Sequence, residues 1–310
     1  MEPRFAIGLD LGGTNLKGGL VTAAGELSSF SLRPSRAEES AAGPVAALSE
    51  AVAALLEAVP GRVAALGLGC PGAIDPASGA LVGRTAHLPH WDSFPVREAL
   101  ASLFAGPVAV DNDANLAALA EHRLGAARGA RLSLTVTVGT GIGCGVVDGG
   151  RVVRGARGGV GEIGHLPLDG RVPCGCGVPG CVEPECSGGG LVARAREAGL
   201  DVRDAEQVFA LAAAGERRAA SLIGRLADRL GASIAIAVQI LNPDVVVIGG
   251  GVSRAGEALL APLRESVARY ALASHLRGLR IEPAALGEAA GVIGAGLAAW
   301  SAASGCDEIG

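Results

Sequence analysis

Lysine is close to missing from this chain: of its 26 basic residues, Lys17 is the one lysine and the other 25 are arginines. The lone ε-amine sits inside a glycine-rich turn, either as a functional group or as a chance survivor on a strand. No basic run occurs and the net charge is −5, so a nucleic-acid partner has no electrostatic footprint. No apolar run reaches the ~18 residues of a membrane span. The first residues, MEPRFAIGLDLGG, enter a strand pattern directly, without the charged-then-apolar layout of a secretion signal. A cytoplasmic location is therefore expected. In that compartment seven cysteines argue for metal or free thiols over a disulfide framework. Two nucleotide signatures are also absent. There is no GxxxxGK[ST], since Lys17 is followed by Gly18, and no GxGxxG after the first strand.

What is present is a folding chain. Hydrophobic residues make up 49% and charged residues 18%, and 310 residues exceed the length at which one core keeps growing. Two domains follow, and no low-complexity linker separates them. The 49 glycines gather in short blocks rather than spreading out. The opening segment FAIGLDLGGTNLKGGLVTAAGELSSFSLR predicts three strands joined by tight turns. Val45, Leu48, Val52, Leu55 and Leu56 recur at helical spacing, and Pro60-Gly61 ends that helix. A strand at VAALGLGC, a short helix at VREALASLF and a strand–turn–helix at PVAVDNDANLAALAEHRLGAA come next. The chain from about 188 to 241 is helical, and NPDVVVIGGGVSRAGEALLAPL predicts a buried strand, a glycine turn and a helix. The closing AAGVIGAGLAAWSAA is a small-residue helix able to pack closely. Residues 8–21 align without gaps on 134–147, with Gly13/Gly139, Thr14/Thr140, Gly19/Gly145 and Val21/Val147 identical. A duplicated strand–turn–strand unit and an α/β fold of two similar halves are expected.

Three glycine turns follow strands. In the first, Gly12, Gly13 and Thr14 free backbone amides to wrap phosphate oxygens, and Asp10 stands where a carboxylate can hold Mg²⁺. Gly139, Thr140 and Gly141 offer a second cradle, and Gly249, Gly250 and Gly251 a third close approach. A single such turn is more often an ordinary hairpin, whereas three in matching halves favour a nucleotide. In VDNDAN, Asp113 is either an ordinary N-cap or a general base for an attacking hydroxyl. Asn112 can hydrogen-bond a polyol, and Asp111 is expected to be structural. His165, Cys174, Cys176 and Cys181 form H-x8-C-x-C-x4-C, a Cys₃His set suited to closed, structural zinc, with a cluster of free thiols as the alternative. Glu162 and Glu183 flank that set, either as solvated charges or as ligand contacts held by a rigid knuckle. Cys70, Cys144, Cys186 and Cys306 have no comparable neighbours and are expected to be inert.

DLGGTNLKGGLV, DNDAN, VGTGIGCGVVDGG, GEIGH and CGCGVPGCVEPECSG together resemble ROK proteins (repressors, open reading frames and sugar kinases) over essentially the whole chain. The resemblance implies an actin/hexokinase-like (ribonuclease H-like) α/β fold with a duplicated β-sheet core and an interlobe cleft for ATP and sugar. Residues 1–114 with a C-terminal helix at about 291–310 would form the smaller lobe, and 115–290 the larger one with the zinc knuckle. It further implies that Asp10, Gly12, Gly13, Thr14 and Lys17, with Gly139, Thr140, Gly141 and Gly249–Gly251, serve ATP and Mg²⁺. Asp113 would be the catalytic base, and Asn112, Glu162, His165 and Glu183 would contact the sugar, His165 also ligating zinc. The implied activity is ATP-dependent phosphorylation of a hexose, glucose first, at the 6-hydroxyl. N-acetylglucosamine, N-acetylmannosamine or fructose kinases are the enzyme alternatives, and a sugar-sensing regulator the non-enzyme one. A homodimer or homotetramer is implied as well. The sequence departs from the family's SPNLPGW-like segment at TAHLPHW (85–91), where His87 and His90 replace asparagine and glycine, and Asp111 stands in place of the usual glutamate. Nine residues precede Asp10, too few for the helix-turn-helix of the repressor branch, so no DNA-binding role is expected.

Overall fold

Runs of apolar residues punctuated by glycine build two five-stranded sheets in the computed structural model of the chain, which describes residues 4–305. The first comprises β1 (Phe5–Leu11), β2 (Asn15–Val21), β3 (Leu27–Pro34), β4 (Val63–Cys70) and β5 (Val108–Asn112), in the order β3-β2-β1-β4-β5. Strands β1, β2 and β3 form an antiparallel meander, while β1, β4 and β5 run parallel. The parallel strands are buried on both faces, as continuous rather than alternating apolar runs dictate. Helices α1 (Ala42–Ala58), α2 (Val96–Ala101) and α3 (Asp113–Leu124) belong to the same part of the chain. The segment that contains His87 and His90 is pinned by Trp91, whose indole donates to the Ala41 carbonyl at 2.9 Å and stacks on Phe94 at 4.1 Å.

The second sheet comprises β6 (Leu132–Val138), β7 (Ile142–Asp148), β8 (Arg151–Val152), β9 (Val245–Gly249) and β10 (Arg280–Pro283), in the order β10-β9-β6-β7-β8. Read from the other edge, this is 8-7-6-9-10, the same topology as 3-2-1-4-5. The aligned segments 8–21 and 134–147 fall on β1-β2 and β6-β7, so the expected duplication extends over whole sheets. Helices α4 (Glu183–Cys186), α5 (Gly188–Glu197), α6 (Ala205–Ala213), α7 (Arg217–Leu241), α8 (Glu257–Tyr270) and α9 (Ala273–Leu276) follow. The 25-residue α7 turns Leu222, Leu226, Leu230 and Ile234 inward and ends on left-handed Asn242. Gly231 lets it approach α8, where a Cβ would lie 2.3 Å from the Ser266 hydroxyl.

The chain groups into two compact units, one of Met1–Arg128, Gly145–Val160 and Glu288–Gly310, the other of Gly129–Cys144 and Gly161–Gly287. The first unit is completed by α10 (Ala290–Ser304), which packs on β1, β4 and α3. Its small residues make that possible. A Cβ on Gly67 of β4 would lie 1.9 Å from the Ala295 carbonyl, and one on Gly294 of α10 would lie 1.9 Å from that of Leu116 in α3. Trp300 ties the far end of the helix to the Val21 carbonyl at 3.0 Å. Cys306 and the expected helical residues 306–310 lie outside the described residues. Among the described residues, no helix is long and apolar enough to cross a membrane.

Two glycine substitutions separate required from dispensable glycines. Gly67→Ala is expected to destabilise the protein by about 3 kcal/mol, because a methyl cannot share space with a backbone carbonyl. Gly224→Ala, in exposed mid-helix of α7 with nothing within 4 Å, is expected to stabilise by about 0.5–1 kcal/mol. Urea unfolding midpoints measure both.

Candidate active site

In the first unit the strand ends converge. Asp10 on β1 is in register with Gly69 on β4, and Gly69 with Asp111 on β5. Three parallel strands thus finish level, and Asp113 starts α3 two residues beyond Asp111. Strands spaced ~4.8 Å apart put the β1 and β5 ends about 10 Å from each other. Cys70 lies at the end of the strand between them, fully buried. Its thiol is pushed well above the usual range by burial first, then by the charges of Asp113 and Asp10, so it is an inert thiol flanked by both carboxylates.

Asp10 Oδ2 lies 3.2 Å from Lys17 Nζ, across the β1–β2 hairpin. Space for its carboxylate comes from Gly291 at the start of α10, where a Cβ would stand 2.7 Å from Oδ2. The Gly12–Thr14 turn is closed by the Gly12 amide donating to the Asn15 carbonyl at 2.8 Å. Buried Ser35 fastens it, its hydroxyl donating to the Gly13 carbonyl at 2.9 Å and its amide to that of Thr14 at 3.0 Å. The backbone of His87 packs on the same turn, 3.0 Å from where a Gly13 Cβ would be. This places the departing TAHLPHW segment beside the first glycine cradle.

The acidic turn corrects one expectation. The N-cap of α3 is Asn112, not Asp113: in extended backbone, its Oδ1 accepts from the Ala114 amide at 2.9 Å and the Asn115 amide at 3.2 Å. Asp113 is the first helical residue, and its Oδ1 also accepts from the Ala114 amide at 2.9 Å. Asn112 Nδ2 donates to the Gly72 carbonyl at 3.1 Å. The oxygen of Asn112 is thereby committed to the helix, and one Nδ2 hydrogen is left for a polyol. Asp111 is buried against Arg154, which the sequence had not singled out.

In the second unit the glycine turns come together. The Gly139 amide donates to the Gly141 carbonyl at 2.9 Å, and the Gly188 amide to the Gly139 carbonyl at 2.7 Å. Gly250, at φ +81°, passes Val138 so closely that a Cβ would be 2.5 Å from its carbonyl. Gly139–Gly141, the Gly249–Gly251 turn and the N-terminus of α5 therefore share one place. Ser187 caps α5, accepting from the Gly190 amide at 3.1 Å. Gly188, Gly189 and Gly190 give that helix a bare N-terminus, which suits an anion. Sequence reasoning does not single out this segment, although SGGG after the cysteines carries the same signal as GGG at 249–251.

The knuckle fits a metal. The ligand atoms of His165, Cys174, Cys176 and Cys181 all lie within 4.8 Å of one another. Cys174 Sγ is 3.6 Å from His165 Nδ1, and Cys176 Sγ is 3.5 Å from Cys181 Sγ. Tetrahedral zinc with bonds of ~2.3 Å to sulfur sets neighbouring sulfurs ~3.8 Å apart, so the four residues fit a closed zinc site. Arg229 of α7 steadies the loop, donating to the Asp169 carbonyl at 3.1 Å and pairing with Glu185 at 3.5 Å.

With Nδ1 turned to the cysteines, His165 Nε2 faces Glu162 Oε2 at 3.8 Å. Glu183 is held by the Ile142 amide, which donates to its Oε2 at 2.8 Å. Burial raises the Glu162 carboxyl above its usual range, His165 pulls it down, and Glu183 pushes it up. The side chain is 48% exposed, so solvent moderates that rise. The structure thus gathers two carboxylates and an imidazole at the edge of the knuckle, an arrangement suited to a polyhydroxylated ligand. Nearby, burial pushes the Cys144 thiol up to about 12, with the Glu162 charge adding to the rise.

Comparison with known proteins matches the profile of the ROK family over residues 6–302. A glucokinase of Halalkalibacterium halodurans is 36% identical over 96% of this chain and 95% of its own length. The crystal structure of a ROK hexokinase from Thermus thermophilus is 39% identical, with a TM-score of 0.79 over 96% of this chain and 98% of that one. A ROK family glucokinase from Streptomyces griseus, in complex with glucose and AMPPNP, is 31% identical, with a TM-score of 0.84 over 96% of this chain and 99% of that one.

Cys176→Ala tests the metal. The variant is expected to lose bound zinc and to melt at a lower temperature, read by elemental analysis and thermal unfolding. A zinc-free variant with unchanged melting and activity would dismiss the structural metal.

Proposed function

The chain belongs to the ROK family, and on that premise we propose that it is an ATP-dependent sugar kinase. It transfers the γ-phosphoryl group of ATP to the 6-hydroxyl of glucose. One observation carries the reading: Asp10 and Asp113 stand at the level ends of parallel strands β1 and β5, with β4 between them. Carboxyl ends of parallel strands are where α/β proteins bind ligands. The pair supplies the two carboxylates that in-line phosphoryl transfer calls for, one for a metal and one for the attacking hydroxyl. The likeness to glucokinases supports glucose as the acceptor and ATP as the donor.

In this mechanism Asp113 accepts the proton of the 6-hydroxyl as its oxygen attacks the γ-phosphorus. Asp10, with the phosphates, would hold Mg²⁺, a hard ion content with one or two carboxylates and phosphate oxygens. When bound, the ion neutralises charge developing on the phosphates. Gly12–Thr14, Gly139–Gly141 and the bare start of α5 offer backbone amides to phosphate oxygens, and Lys17 keeps the Asp10 carboxylate oriented. Gly249–Gly251 let the nucleotide approach the backbone closely. In the second unit Glu162, His165 and Glu183 are the groups suited to sugar hydroxyls; in the first, Asn112 has an amide hydrogen for the same kind of ligand. His165, Cys174, Cys176 and Cys181 would hold zinc, which would fix the orientation of the imidazole and stand outside the chemical step. A cytoplasmic location belongs to the same proposal, since ATP and free hexose meet there.

Coupled ADP release over glucose, mannose, fructose, N-acetylglucosamine and N-acetylmannosamine tests the reading. Turnover is expected to be fastest with glucose; turnover of none of the five would sink the kinase, and preference for an acetylated sugar would reassign the substrate. In parallel, Asp113→Ala is expected to lower kcat by about 10³-fold or more while glucose still binds, read by isothermal titration calorimetry.

A further inference from the structure

The ion pair behind the acidic turn is more completely bonded than a brace requires. Asp111 is 4% exposed and Arg154 7%. Arg154 Nε donates to Asp111 Oδ2 at 2.8 Å, and Nη2 reaches the same oxygen at 2.6 Å. Arg154 Nη1 donates to the Val152 carbonyl at 3.2 Å, which fixes the guanidinium to the backbone just after β8. The other carboxylate oxygen, Oδ1, accepts from the Asn112 amide at 2.7 Å and from Asn115 Nδ2 at 2.9 Å. Each oxygen thus takes two donors.

Those last two donors matter by their position. Asn112 precedes Asp113 and Asn115 follows it by two residues, so one buried carboxylate holds the chain on both sides of Asp113. Asn112 in turn caps α3 and is anchored to Gly72, which leaves the start of the helix little freedom. A buried ion pair is seldom better for stability than apolar residues of the same volume, so folding alone gives weak reason for one here. The guanidinium also cancels a second negative charge that would otherwise sit two residues from Asp113. We infer that Asp111 and Arg154 are positioning residues, which hold Asp113 at the place and angle from which it meets the sugar hydroxyl. The inference rests on the kinase reading above. Misplacing a reacting group by about 1 Å costs on the order of 10²-fold in rate, so a loosened pair has a large and specific effect.

Two conservative variants test it. Arg154→Lys keeps the charge and loses the fork; Asp111→Asn keeps the volume and an acceptor oxygen and loses the charge. For each, kcat at saturating ATP and glucose is expected to fall about 10- to 100-fold, with KM for both substrates within about threefold; Asp111→Asn, which leaves the guanidinium without its charge partner, is expected to melt lower than Arg154→Lys yet to be folded at the assay temperature. Unchanged kcat in both folded variants would overturn the inference. So would loss of kcat, glucose affinity and stability in proportion, or failure of both variants to fold, since either result makes the pair a brace of the fold. Wild-type turnover is measured alongside. Its absence would remove the kinase reading and this inference with it, whereas normal wild-type turnover beside unaffected variants removes the inference alone.

Discussion

Close approach of α10 to its neighbours is the constraint on which the first unit depends. A helix that carries ordinary side chains stands 8–10 Å from what it packs on. Here glycines meet carbonyls: Gly8 and Gly67 of the sheet face α10, and Gly294 faces Leu116 in α3. The three elements drawn together include those that bear Asp10 and Asp113. Gly291 extends the same logic to chemistry, since its missing Cβ is the space that the Asp10 carboxylate occupies. Alanine- and glycine-rich composition, which in another chain would signal a linker, is here the means of bringing two carboxylates into one sheet's end.

The second unit solves a different problem, which is to hold irregular chain still. Residues 161–187 contain little regular structure, yet they carry Glu162, His165 and Glu183. A Cys₃His cluster whose ligand atoms lie within 4.8 Å of one another, the Arg229 bonds to the loop and the Ile142 amide on Glu183 give that segment its fixed points. His165 divides its two nitrogens between these tasks. Nδ1 faces the thiols and Nε2 the Glu162 carboxylate, so one ring joins the cysteine cluster to the acidic group beside it.

Much of this was legible in the sequence because it is local. Strand–glycine turn–strand patterns need only a dozen residues to declare themselves, and the Cys₃His spacing is confined to 165–181. The aligned halves also pointed correctly to two sheets of one topology. Three features escaped for physical reasons. Asp111 and Arg154 are 43 residues apart, one on β5 of the first sheet and the other just after β8 of the second, and such a pair leaves no periodicity in either segment. Whether Asn112 or Asp113 caps α3 turned on one backbone angle, which both residue types satisfy. The SGGG at the start of α5 carries no sequence mark of its partner, because the Gly188 amide meets the Gly139 carbonyl from 49 residues along the chain.

Lysine scarcity, first met as a compositional fact, has an analytical consequence. Apart from its α-amino group, the chain has a single primary amine, and that amine lies 3.2 Å from the Asp10 carboxylate. Reagents that acylate amines would therefore act on this protein as a site-directed probe. Their rate of reaction would report whether Lys17 is engaged with Asp10 or released from it, without any substitution in the chain.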